Sequence, residues 1–211
     1  MELKDKLIGF STSDSRSLDE RFDEIATAIL YDGYVKVRDE YRIYVKTVEF
    51  YFHSEENSNF QFKESDPIVY HRNGKFPGRN LPYFPVLSLH AHSSGYDITF
   101  ENEKLKYRAS ALIRAYAVYD IKTGEFLHTK KKISIYDDRS TFLYNYINGF
   151  SAEGSNDIMW IDEVSDAVHE LNNPIPRRNV FKYIGEDKQN DRDDRLWSYT
   201  RKNDVTPSKS R

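Results

Sequence analysis

Cysteine is absent from this 211-residue chain. That excludes disulfides, thiol nucleophiles, thiolate metal sites and iron–sulfur clusters, and it is compatible with a reducing cytoplasm, the compartment expected here. Long apolar runs are missing too. No stretch approaches the ~20 apolar residues of a transmembrane helix. The opening Met1-Glu2-Leu3-Lys4-Asp5-Lys6 lacks the apolar block of a secretory leader, so neither a signal peptide nor a membrane partner is expected. Charge of one sign is not in excess: 31 Lys and Arg stand against 34 Asp and Glu. A uniformly basic surface is therefore ruled out, and any contact with nucleic acid has to come from a local basic face.

What the chain does have is aromatic rings, 16 Tyr and 13 Phe, enough to fill a core and also to line a pocket that stacks flat rings. Its length suits one sizeable domain, expected over residues 1–200, with 201–211 a frayed charged tail. Ser17 opens a helix, with Glu20 at capping-box spacing and Leu18, Phe22, Ile25, Ala26 and Ile29 on one face; Gly33 is the expected terminator. Tyr34 to Arg38 and Arg42 to His53 form a hairpin around Asp39-Glu40. Pro67, Gly74, Pro77, Gly78, Pro82 and Pro85 mark residues 57–84 as a long loop region, a usual place for function. Strands are expected at Val86–His92, Tyr96–Glu101 and Ala109–Tyr119. A turn at Lys122-Thr123-Gly124 leads into Phe126–Tyr136, and Ser140 caps a helix through Tyr146, closed by Gly149. Ile158–Leu171 reads as helical or mixed, and Arg178–Ile184 as a strand. The pattern is α+β with a largely antiparallel sheet.

Glu49 stands out because Val48-Glu49-Phe50-Tyr51-Phe52 is otherwise an apolar, aromatic strand, and a carboxylate there needs a partner or a task. Strict alternation puts Ile43, Val45, Thr47, Glu49, Tyr51 and His53 on one face and Tyr44, Val48, Phe50 and Phe52 on the other. The bland alternative is an ion pair between Glu49 and Arg114 inside the sheet. His71 in a loop is by default solvated. Asp97, alternating with Tyr96, Ile98 and Phe100, falls on the polar face of its strand, where solvent exposure is the ordinary expectation. His90-Ala91-His92 with Asp97 offers a rival, a metal-binding hairpin. Lys130-Lys131-Lys132 reads as a solvated strand edge.

Taken in order, these segments resemble the alkyladenine (3-methyladenine) DNA glycosylase family. Thr47-Val48-Glu49-Phe50-Tyr51 is similar to the second half of that family's Glu-x-Glu-x-Tyr strand. Asp66, His71, Arg72, Asn73-Gly74-Lys75 and Pro77-Gly78-Arg79-Asn80 follow the order of its acidic residue, His and basic Thr-Pro-Arg-Asn loop. Tyr96-Asp97-Ile98-Thr99 and Leu112-Ile113-Arg114-Ala115 stand in the places of its aromatic strand ending at Asn and its Leu-Leu-Arg-Ala strand. Arg178-Asn179-Val180 and Leu196-Trp197-Ser198-Tyr199 look like its C-terminal segments. Asp97 departs from the family's Asn, and counting back from it sets His90 where the family has its groove-wedging aromatic.

The resemblance implies a single domain with a curved, barrel-like, mostly antiparallel sheet and flanking helices. It implies a monofunctional DNA glycosylase that flips a damaged purine from the duplex and hydrolyses its N-glycosidic bond with a water activated by Glu49. Arg114 would orient that carboxylate. Tyr51, His71 and Asp97 would form the base pocket, and Arg72, Lys75, Arg79, Asn80, His90 and Arg178 would contact DNA. No metal or cofactor is implied; the partner is double-stranded DNA and the protein a monomer. Two alternatives remain: a catalytically inactive relative that binds nucleic acid or a nucleotide, and a metal-dependent enzyme using His90 and His92.

Overall fold

The Ser17 capping box forms as the sequence predicts: the Glu20 amide donates to Ser17 Oγ at 3.2 Å, and the Ser17 amide donates to Glu20 Oε2 at 2.7 Å. The computed structural model describes residues 1–92, 95–127, 158–163 and 169–203. The helix expected at Ser140–Tyr146, Lys130-Lys131-Lys132, most of the Phe126–Tyr136 strand and most of the 201–211 tail lie outside the described residues. Helix α1 spans Leu3–Gly9 and α2 Leu18–Tyr31. The face of α2 carrying Leu18, Phe22, Ile25, Ala26 and Ile29 is buried. Among the described residues, no helix is long and apolar enough to cross a membrane.

Gly33 does not end α2; it begins β1 (Gly33–Val37), and Asp32 is the helix C-cap. A Cβ at position 33 would sit 2.6 Å from the Trp160 ring. Glycine is needed there so that β7 (Ile158–Asp162) can pair antiparallel with β1, Gly33 opposite Asp162. That pairing corrects the helical or mixed reading of this segment, because five residues with a sheet edge to bond are better satisfied as a strand.

The remaining strands are β2 (Tyr41–Ser54), β3 (Ser88–His92), β4 (Gly95–Thr99), β5 (Tyr107–Asp120), β6 (Glu125–Phe126), β8 (Phe181–Ile184), β9 (Asp187–Arg192) and β10 (Ser198–Thr200). The main sheet runs β3-β4-β5-β2-β1-β7, all antiparallel. β10 pairs with β2 beyond β1, and β6 with the end of β5. The sheet curls strongly into a half-barrel. β8 and β9 form a separate hairpin.

The β2–β5 ladder is irregular between Val45 and Val48, and that bulge changes which side chains reach the core. Ile43 and Val45 enter the core before it, and Val48, Phe50 and Phe52 after it. A single alternation through the strand, as expected from sequence, therefore fails at residues 46–47, because one extra residue reverses every later side chain. The core face is covered by the helices: the Phe22 ring stacks on Phe50 with centroids 4.4 Å apart. Burying one such ring contributes ~1.5–3 kcal/mol. The opposite face of the same strands carries the polar residues from which the candidate site is built.

Candidate functional site

Antiparallel register aligns one row of side chains across this second face. Glu49 on β2 lies opposite Leu112 on β5, Leu112 opposite Asp97 on β4, and Asp97 opposite His90 on β3. The next row pairs Tyr51 with Ser110. Two segments then cover the face: the loop around residues 66–84 and the chain from Arg177 through the β8–β9 hairpin. Between cover and sheet lies a cavity of about 450 Å³, within the ~300–1,000 Å³ range of small-molecule sites. Tyr51, Ser110, Leu112, Arg114 and Asp97 supply its sheet wall, Val69, Tyr70, His71 and Phe76 the loop wall, and Arg178, Val180, Phe181, Tyr183 and Lys188 the hairpin wall.

Glu49 is 2% exposed and is not among the residues lining the cavity. Its Oε2 accepts from Arg114 Nε and Nη2, both at 2.6 Å, and from the Tyr51 hydroxyl at 3.1 Å. Its Oε1 accepts from the Arg178 amide at 2.8 Å. Three of these four donors come from residues 51 and 114, which do line the cavity, so the carboxylate stands one side chain behind the wall. Burial and then the Glu49 charge push the Tyr51 phenol well above its ordinary range, so it stays a neutral donor. Burial does the same for Tyr70.

Asp97 is 3% exposed and lines the cavity, which corrects the expectation that its strand face is open to solvent. The cover over the sheet, invisible to strand alternation, is the reason. Ser110 Oγ donates to Asp97 Oδ2 at 3.2 Å. His71 is also buried, 1% exposed, rather than solvated. Its Nδ1 pairs with Glu101 Oε1. Glu101 in turn accepts from Arg108 Nη1 at 2.9 Å and from the Phe84 amide at 2.8 Å.

Arg108 fastens the loop to the sheet. It is fully buried and donates to Glu55, Glu101, Asn73 Oδ1 and the carbonyls of Leu81 and Pro82. Arg177 does the same for the C-terminal cover. It binds Asp66 and Asp193 at 2.5 Å each and lies 4.7 Å over the Tyr51 ring. Burial pushes the Asp193 carboxyl up, but Arg177 outweighs it and the net shift is downward.

Of the residues expected at DNA, Lys75, Arg79, Asn80 and Arg178 are exposed. Arg72 is not. It is buried, binds both oxygens of Glu186 at 2.9 and 2.7 Å, and so ties the loop to the hairpin; a phosphate would have to displace that bidentate pair. His90 is half-buried and stacks between Phe84, at 4.1 Å, and Tyr70, at 5.7 Å, so it does not project as a wedge. The metal reading gains nothing: no cluster of three or more metal-ligating side chains occurs among the described residues, and the His92 side chain lies outside them.

Sequence reasoning missed Ser110, Tyr70, Glu101, Arg177 and the hairpin residues Phe181, Tyr183 and Lys188. For Ser110 a signal existed, since residues 110, 112 and 114 share one side of β5. Compared with models of known families, with curated proteins and with solved structures, the chain matches none. The site thus has to be read from its chemistry: an aromatic-walled cavity with a carboxylate and Arg114 on its sheet wall, the buried Glu49 behind Arg114, and cations at its hairpin side.

Proposed function

We propose that the cavity receives a purine-like base and that the protein is a monofunctional DNA glycosylase with a fold of the 3-methyladenine DNA glycosylase kind. The observation that carries this reading is convergence. Tyr51, His71, Asp97 and Arg114, chosen for the order of their motifs, come from three strands and a loop and line one cavity. The base enters between the rings of Tyr51, Tyr70 and His71 after extrusion from the duplex. Breaking the N-glycosidic bond leaves its electron pair on the base and positive charge on the sugar, which a nearby fixed carboxylate stabilises. Glu49 supplies that charge from behind Arg114 and Tyr51. Glu49 does not line the cavity, so the proton of the attacking water reaches it through the Tyr51 hydroxyl, which accepts from the water and donates to Glu49 Oε2. Lys75, Arg79, Arg178 and Lys188, all exposed, meet the phosphates.

The test is single-turnover release of free base from duplexes carrying alkylated or deaminated purines. The wild-type chain is expected to leave abasic sites, and Glu49→Gln to slow release by at least ~100-fold without weakening duplex binding. Intact duplexes with every lesion would refute catalysis. One observation favours a second reading, a binding protein without base release: Glu49 is enclosed by four donors and reaches the cavity only through its neighbours. Lesion-duplex affinity without product separates the two.

A further inference from the structure

We infer that His71 is the acid of this site: it gives the proton on Nε2 to a ring nitrogen of the departing base, and so lets the cavity release neutral purines as well as cationic ones. The inference rests on the reading of the cavity as a base site and adds a proton donor to it. His71 is 1% exposed, lines the cavity, and has its Nδ1 paired with Glu101 Oε1. Glu101 is itself held in place. Its Oε2 accepts from Arg108 Nη1 at 2.9 Å and from the Phe84 amide at 2.8 Å, which leaves Oε1 for the imidazole. The ring also packs against Tyr70 and Phe84, with centroids 4.7 and 5.4 Å away. Glu101 is not among the residues lining the cavity, so Nδ1 points away from it and the other ring nitrogen, Nε2, turns toward it. A histidine held through one nitrogen by a fixed carboxylate exchanges its proton at the other.

The departing base needs such a donor. Hydrolysis breaks the bond from the sugar to the purine, leaves its electron pair on the purine and joins the water oxygen to the sugar. A 7-methylguanine ring already carries a positive charge and departs neutral. Hypoxanthine departs as an anion unless a ring nitrogen takes a proton. With His71 the count closes. The imidazolium proton passes from Nε2 to the base, the neutral imidazole keeps its Nδ1–H on Glu101, and the proton of the attacking water stays with Glu49. Solvent then reloads His71 and takes the Glu49 proton. Other groups at the cavity suit the task less. Burial pushes the Tyr51 and Tyr70 phenols above their ordinary range, so each holds its proton. Arg114 is bound by Glu49, and a guanidinium does not give up its proton in a protein. The Ser110 hydroxyl donates to Asp97.

The experiment measures single-turnover release of hypoxanthine and of 7-methylguanine by the full chain from duplexes of matched sequence. Each protein is read as the ratio of the two rates, so that loss of stacking or of binding common to both bases cancels. His71→Gln keeps a polar side chain but has no proton to give. It is expected to lower the hypoxanthine-to-7-methylguanine ratio by at least ~100-fold. Glu101→Gln, which acts on the base only through the imidazole, is expected to lower the ratio in the same direction. Equal loss of both rates in His71→Gln overturns the inference and leaves the glycosylase reading standing. Release of neither base by the wild type overturns both. Should the variants not fold, the wild type decides: heavy water is expected to slow hypoxanthine release more than 7-methylguanine release, and equal slowing overturns the inference.

Discussion

Arg177 illustrates what a single buried charge does in this protein. It neutralises Asp66 and Asp193 and also donates to the Phe50 carbonyl at 3.2 Å. Removing it leaves two buried carboxylates uncompensated, so Arg177→Met is expected to cost ~3–5 kcal/mol in urea unfolding, far beyond the loss from an exposed arginine such as Arg79. His53 gives a pH dependence. Its Nδ1 accepts the Asp66 amide at 3.1 Å, which requires that nitrogen unprotonated, and burial holds its pKa below the ordinary 6.5. The unfolded chain therefore takes up this proton at higher pH than the native one. The contribution is complete above 6.5 and is lost as pH falls through the depressed native value. The urea midpoint should drop on acidification from about pH 7 to about pH 5, and the drop should shrink in His53→Gln; an identical drop in both would assign it elsewhere. At this scale the sequence marked Glu49, Tyr51, His71, Asp97 and Arg114 by residue type and order. It did not reveal that His71 and Asp97 are buried, because the chain that covers them lies far along the sequence, as Arg178 and the hairpin do.

Elements follow local rules where local chemistry decides and depart from them where pairing does. Helix α2 was readable from its capping box and its apolar stripe. Strand β7 was not, since its identity depends on the edge of β1 and on the space Gly33 leaves for Trp160. Gly33→Ala should therefore destabilise by ~1–3 kcal/mol through overpacking. If glycine served only as a helix stop, alanine would cost a few tenths of that. The bulge near Lys46 and Thr47 was equally hidden, because a register shift is a property of two strands. Its consequence is functional: it lets Ile43 and Val45 share the core with Val48 and Phe50, and so turns Glu49 and Tyr51 to the cavity face.

At the scale of the molecule, a half-barrel with helices on one face leaves the other face to be roofed by irregular chain, and the cavity forms under that roof. The net charge of −3 does not forbid a nucleic-acid partner, because Arg178 and Lys188 are exposed at the cavity and Lys75 and Arg79 are exposed on the covering loop. Duplex affinity should fall as salt rises, and Arg178→Ala or Lys188→Ala should each lower the slope of log affinity against log salt by about 1; an unchanged slope would remove those side chains from the contact. The central claim is that a base leaves the duplex and enters the cavity between Tyr51, His71, Asp97 and Arg114. A crystal structure of the Glu49→Gln variant with a duplex containing deoxyinosine tests it most directly. The account predicts hypoxanthine in that cavity; a duplex bound with every base still stacked in the helix would contradict it.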